Sequence, residues 1–273
     1  MNISLEWHEE LTSTAEVFCA RARAEYVPEG TLLLAGRQTA GRGRGSVEEK
    51  PFYSPVGGCY MSLLLRGVCP TEALPLTSRT ALAARRVLVR YGCEAGVKWV
   101  NDLFYSAPRE YHPPSGVPGE RHGFRALPVY AVDGYKKIAG ILVQRPAGGM
   151  GEGCTVVSCG INLYPNPEDS PPEALREIIA WCFRDAAEAP DIKAFALELA
   201  EEIAEVSAEQ NNAALLEEYR AASIVLGRNI AYEQNGRSFS ATALDITPAG
   251  GLLIRRDDGC ETVLTSGSIV LLH

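Results

Sequence analysis

The chain predicts an α+β fold: a mixed or antiparallel sheet with helices on one face, joined to a small all-β domain. Three observations lead there. Strand candidates come in succession, "VKWVNDLFY" (97–105), "VYAVDGY" (129–135), "IAGILVQ" (138–144) and "TVVSCGINL" (155–163), with the helical patterns set apart from them. Strands grouped in this way favour a sheet with segregated helices over a βαβ alternation. After Ser223 the texture changes to short alternating strands separated by Asn-Gly, Gly-Gly and Asp-Gly turns, the punctuation of hairpins. A length of 273 residues suits one large domain plus a small one. The expected division is 1–222 and 223–273.

Taken in order, Ser13-Thr14-Ala15-Glu16 has the S-x-x-E spacing of a capping box, and a helix should follow through about Ala24. "TLLLAG" (31–36) and "CYMSLLLR" (59–66) read as apolar strands. Between Glu72 and Tyr91, residues Thr80, Ala84, Val87, Leu88 and Tyr91 fall on one helical face. Pro108, Pro113, Pro114 and Pro118, with Gly116, Gly119 and Gly123, exclude a helix or interior strand and predict a surface insertion over 106–126. Four glycines from Gly148 to Gly153 predict a hairpin turn. "YPNPEDSPPE" (164–173) predicts an irregular loop, with a helical region from about Pro171 to Arg220.

Composition narrows the function. A hydrophobic fraction of 46% with 22% charged residues is that of an ordinary soluble domain. The net charge of −8 argues against coating nucleic acid electrostatically. No run approaches the ~18 apolar residues of a membrane span, and "MNISLEWHEE" holds no signal core. No helix-turn-helix precedes the first strands, so neither DNA nor a membrane is expected as a partner. Eight scattered cysteines without a CxxC pair predict reduced, mostly buried thiols rather than disulfides or a zinc site.

Against that acidic background, "GRQTAGRGRG" (36–45) is a local concentration of positive charge. Arg37, Arg42, Arg44 and Lys50 stand against Glu48 and Glu49, a net of +2 over residues 37–50. The segment lacks the Lys-Ser/Thr of a P-loop, and no helix opens after its glycines as a dinucleotide fingerprint requires. A solvated arginine loop competes evenly with an anion-binding one on composition alone. Lys98, Asn101 and Asp102 interrupt a strand otherwise fit for burial, which suggests a Lys–Asp pair at a site or a strand-end turn. Lys137 precedes an apolar strand holding Gly140, and a glycine within a strand hints at close approach by a ligand or another backbone. Gly160 and Asn162 close the last long strand.

The ordered set Q-T-A-G-R-G-R, S-P-x-G-G-x-Y-x-S-x-x-L-R, K-W-x-N-D-L, K-I-A-G-I-L-V and G-I-N resembles the biotin protein ligase family from about Ser13 to Leu163. The β-rich tail is similar to that family's SH3-like C-terminal domain. The resemblance implies a class II aminoacyl-tRNA synthetase-like catalytic fold and a ligase that turns biotin and ATP into biotinyl-5′-adenylate. The acyl group then passes to a lysine of a biotin carboxyl-carrier domain, with Mg²⁺ beside the phosphates. It further implies that Ser13, Thr14, Gln38, Gly41 and Gly140 meet biotin, and that Arg42, Arg44 and Lys137 are catalytic, Arg42 and Lys137 reaching biotin as well. Arg44, Phe52, Lys98, Asn101, Asp102 and Asn162 would serve the nucleotide, with Asp102 on the metal.

Arginine forks make strong charge-assisted bonds to carboxylate and phosphate, which two mutually repelling anions require. Ala15 stands where the family commonly has asparagine, Val100 where it has proline and Phe52 where it has tryptophan. A lipoate or octanoate ligase of the same superfamily and a non-catalytic biotin- or nucleotide-binding protein are the alternatives. The oligomeric state, monomer or homodimer, is left open, and the expected compartment is the cytoplasm or a mitochondrion.

Overall fold

The computed structural model describes residues 1–43, 52–67, 73–106, 135–176, 178–234 and 237–272. Arg44 and Lys50, most of the proline-rich insertion, and the strand candidate 129–135 except Tyr135 lie outside the described residues.

A seven-stranded sheet runs in the order β1-β2-β3-β7-β6-β5-β4. Its strands are β1 (Ser4–Leu11), β2 (Thr31–Gln38), β3 (Gly58–Arg66), β4 (Ala95–Lys98), β5 (Asp102–Ser106), β6 (Tyr135–Gln144) and β7 (Cys154–Asn162). Only β1 and β2 pair in parallel; the other neighbours are antiparallel. Strand β1 is an addition to the sequence reading. "SLEWHEEL" is largely solvated at the sheet edge and carries too few buried residues to show a strand pattern. The expected strand over 97–105 is instead two short strands, β4 and β5, with a turn at Trp99–Asn101.

Helices cover both faces rather than one. The long central strands are apolar at odd and even positions alike, the mark of burial on both sides. On one face α1 (Thr14–Ala24) sets Phe18, Cys19 and Ala22 against Leu33, Leu64 and Val156. On the other, α4 (Ile192–Ala208) packs on β2 and β3, α2 (Leu76–Arg90) on β4, β5 and β6, and α5 (Asn212–Ala222) on α2 and β4, over one core that includes Leu32, Leu34, Met61, Leu63, Val157 and Cys159. The expected helical region 171–220 contains a single turn, α3 (Glu173–Arg176), before α4 and α5. Fully buried Arg79 donates to the carbonyls of Leu74, Val206, Ser207 and Glu209, so a cation sits at the negative C-terminal end of α4. Described cysteines are all free thiols, six of them buried and Cys260 exposed.

The second sheet is antiparallel, in the order β11-β10-β9-β8-β12, with strands β8 (Asn229–Gln234), β9 (Arg237–Ile246), β10 (Leu252–Arg256), β11 (Glu261–Leu264) and β12 (Ile269–Leu271). No pairing closes it into a barrel among the described residues. Its apolar side shares one core with the large sheet, because Ile230, Ile246, Leu252 and Ile254 join the cluster that holds α2 and α4. Trp99 Nε1 donates to the Gly250 carbonyl across the junction at 2.9 Å.

Candidate active site

The cavity lies on the α1 face, where the sheet runs beyond the helix N-terminus. Antiparallel register sets Tyr60, Gly160, Gly140 and Asp102 side by side across β3, β7, β6 and β5. Ser62, Ser158 and Leu142 form the neighbouring row. Two glycines in direct opposition leave a bare floor, and the Phe52 ring lies over it. A Cβ on Gly160 would come 2.5 Å from Phe52 Cε1, and one on Gly140 3.3 Å from Phe52 Cε2. Tyr60 meets that ring edge-on, with centroids 6.5 Å apart.

A bulge brings Lys137 to this floor. Leu103 pairs with Ala139 but Phe104 pairs with Lys137, so Ile138 is the extra residue on β6. Ile138 and Ala139 both point into the core, and Lys137 rejoins Gly140 on the cavity side. Bulges re-aim side chains in this way. Lys137 Nζ sits 2.8 Å from Asp102 Oδ1, with both side chains largely buried. Lys136 turns to the opposite side and is 5% exposed, its ammonium donating to the Arg176 carbonyl at 3.1 Å.

The strand that would continue beside Lys137 is supplied by 178–180. Lys137 N donates to Ile178 O at 2.8 Å, and Ala180 N donates to Lys137 O at 2.9 Å. Asn162 Nδ2 in turn donates to Ala180 O at 3.1 Å.

At the other end, Ser13 caps α1 by accepting from Glu16 N. Gln38 Oε1 accepts from Thr14 N at 2.7 Å, while its Nε2 donates to Ser54 Oγ at 3.0 Å, which fixes the amide's orientation. Arg42 overhangs the cavity with Nη1 2.8 Å from Glu16 Oε1. Tyr53 donates to Asp169 Oδ1 at 3.1 Å, and burial together with that bond pushes its hydroxyl up to about 12.

Asn101 Nδ2 donates to Ile141 O at 2.7 Å. The Oδ1 atoms of Asn101 and Asp102 are buried and no hydrogen bond reaches either one among the described residues. For Asp102 the Lys137 ammonium is close but off a hydrogen-bond direction. Neither Oδ1 has surface open to the cavity, and that of Asp102 lies against the Lys137 ammonium, so a Mg²⁺ ion at this wall would be held by the rest of the Asp102 carboxylate, with phosphates and water completing its shell. Among the described residues no group of three His, Cys, Asp or Glu forms a metal cage.

The match to the Biotin/lipoate A/B protein ligase family covers residues 8–162, and that to the Biotin protein ligase C terminal domain covers 225–272. The chain belongs to the biotin/lipoate A/B protein ligase family. It is 30% identical over 194 residues to the bifunctional ligase/repressor BirA of Bacillus subtilis, covering 70% of this chain but 50% of that protein. The fold is similar to the Aquifex aeolicus biotin protein ligase solved with biotin and ATP (TM-score 0.71, 21% identity, 98% of each chain). It is also similar to the Leishmania major enzyme solved with biotinyl-5-AMP (TM-score 0.59, 19% identity, 97% of this chain and 100% of that one).

Of the residues expected from the ligase motifs, Ser13, Thr14, Gln38, Arg42, Phe52, Asn101, Asp102, Lys137 and Gly140 all line the cavity. Arg44 lies outside the described residues. Three others stand elsewhere. A Cβ on Gly41 would strike Phe52 O and Ser54 Oγ at 2.5 Å, so this glycine lets the loop pack on itself. The Lys98 ammonium lies 5.4 Å from the Phe104 ring centroid and does not line the cavity, and the recorded ion pair of Asp102 is with Lys137. Asn162 spends its amide on Ala180 and also stays off the wall. Arg37 faces outward to Glu10.

Sequence reasoning did not place Leu142, Ser158 and Ser268 at the cavity. Leu142 and Ser158 share the parity of Gly140 and Gly160, a usable signal once those glycines are suspected. Ser268 comes from the second sheet and carried no local signal.

Proposed function

We propose that this chain is a biotin protein ligase that makes biotinyl-5′-adenylate from biotin and ATP and biotinylates a lysine of a carboxyl-carrier domain. Residues 1–222 would form the catalytic part and 223–273 the C-terminal domain. The carrying observation is the Lys137 ammonium, held against Asp102 in the cavity that Arg42 overhangs. In the first step a biotin carboxylate oxygen bonds to the α-phosphorus, and the bond from that phosphorus to the pyrophosphate bridging oxygen breaks. Lys137 and Arg42, with Arg44, offset the repulsion between the anions and stabilise charge growing on the α-phosphate. In the second step the acceptor amine attacks the acyl carbon, AMP leaves with the electrons of the acyl–oxygen bond, and the amine proton passes to solvent.

Ser13, Thr14 and the oriented Gln38 amide offer polar partners for the ureido end of biotin. Phe52 is a flat platform suited to adenine. Asp102, with Asn101 beside it, would hold Mg²⁺, and the ion when bound would neutralise phosphate charge.

The test is thermal denaturation with biotin, lipoate or octanoate, each with and without Mg-ATP, followed by pyrophosphate release. A ligand at ~100 times its dissociation constant stabilises by about 2.7 kcal/mol. Biotin should give the largest shift and release pyrophosphate with ATP. A larger response to lipoate or octanoate overturns the substrate, and binding without pyrophosphate release overturns the enzyme.

A further inference from the structure

Arg42 stands between Gly41 and Gly43, where the backbone does little to restrain a long side chain. Its recorded partner is Glu16 in the first turn of α1, 2.8 Å from Nη1. Its Nε is buried and has no hydrogen-bond partner among the described residues, although the side chain as a whole is 33% exposed and lines the cavity. A guanidinium grips a carboxylate bidentately either end-on, through both Nη atoms, or side-on, through Nε and Nη2. With Nη1 beside Glu16 and Nε buried, Nη2 is the donor through which the exposed part of the guanidinium can meet a ligand.

We propose that Glu16 is a positioning residue for Arg42: it fixes the guanidinium so that Nη2 meets the carboxylate of the incoming acid. This rests on the ligase reading above. Glu16 is itself 42% exposed, so solvent screens its repulsion of the anionic ligand, while the ion pair with Arg42 at 2.8 Å is short-range and less screened. The expected sign is therefore weaker binding when Glu16 loses its charge. A purely competing glutamate would give the opposite sign.

The experiment is a double-mutant cycle on biotin affinity, using isothermal calorimetry on the full chain as wild type, Glu16→Gln, Arg42→Ala and the double variant. Gln keeps the side-chain size and leaves the Glu16 backbone bond to Ser13 Oγ untouched, and circular dichroism checks the fold. If Glu16→Gln does not fold, Glu16→Asp, which withdraws the charge by one methylene, takes its place with the same expected loss. Glu16→Gln should weaken biotin binding about three- to tenfold in wild type and less than twofold where Arg42 is already alanine. Unchanged or tighter binding, or an equal loss in both backgrounds, overturns the assignment. Failure of wild type to bind biotin overturns the ligase reading and this inference together. Wild-type binding with a flat cycle overturns Glu16 alone.

Discussion

Lys137 and Asp102 face one another across β6 and β5, Nζ to Oδ1 at 2.8 Å, beside the two opposed glycines of the cavity floor. The pair holds the ammonium in place before any phosphate arrives. Lys137→Ala should retain biotin binding and lose about a hundred- to a thousandfold in adenylate formation. Pyrophosphate release with biotin and Mg-ATP measures it, and an unimpaired variant removes Lys137 from the chemistry.

Lys136, the residue before Lys137, is buried on the opposite side of β6. Lys136→Ala leaves a cavity and an unpaired Arg176 carbonyl, a loss of about 1–3 kcal/mol. Chemical denaturation should report it as reduced stability, with the rate per folded molecule near wild type. Equal stability of variant and wild type refutes the prediction.

The glycine floor predicts a ranking. Gly160→Ala places a methyl 2.5 Å from Phe52 Cε1, whereas in Gly140→Ala the nearest atoms are the Lys137 ammonium at 3.2 Å and Phe52 at 3.3 Å. Overpacking costs typically about 1–3 kcal/mol. Calorimetric titration with biotin and with ATP should show the larger loss for Gly160→Ala. The reverse order would mean that Phe52 does not lie on the floor.

Removing the second sheet outright is the blunt test of what it contributes. Its shared core makes that unworkable, since deleting 224–273 would strip Ile230, Ile246, Leu252 and Ile254 from the cluster beneath α2 and α4. Trp99→Phe is the milder probe, because it keeps a ring at the junction while losing the bond to Gly250 O. It should cost about 0.5–1.5 kcal/mol plus a packing term, read from denaturant midpoints. A midpoint equal to wild type would show that the junction bond contributes nothing.

Acid should loosen the helix layer. Burial raises the Glu202 carboxyl, but hydrogen bonds from Arg90 and Arg86 outweigh it and the net shift is downward. A depressed folded value means stability that is present above the ordinary glutamate range and lost as pH falls through the folded value. Thermal midpoints should drop on acidification below about pH 4.3, and Glu202→Gln should flatten that part of the profile. An unchanged slope in Glu202→Gln would place the acid sensitivity elsewhere.

Much of the site was legible because its chemistry is local. "GRQTAGRGRG", "KWVNDL" and "KKIAG" each concentrate charge or glycine where an ordinary strand has neither, and eight of the residues they and Ser13-Thr14 suggested meet in one cavity. Asn162 and Lys98 stand beside the same motifs but do not line the cavity. A polar residue beside a motif looks alike in sequence whether its partner is a ligand or, as here, a backbone carbonyl or an aromatic ring.

By itself the sequence determined the strands that are apolar throughout, the helix begun by Ser13, the turns at the glycines and the residue types able to handle two anions. Those depend on periodicity and backbone preference within a few residues. Which side chains share a face was decided only by tertiary pairing. Simple alternation sends Lys137 and Gly140, three residues apart, to opposite sides of β6. The shift in pairing with β5 at Leu103 and Phe104 inserts Ile138, turns both Ile138 and Ala139 into the core and returns Lys137 to the cavity. A bulge is a property of two strands in register, so the text of β6 alone does not contain it. Ser268 reaches the same cavity from the far end of the chain for the same physical reason: a shared core draws the two sheets together over a separation that no local pattern spans.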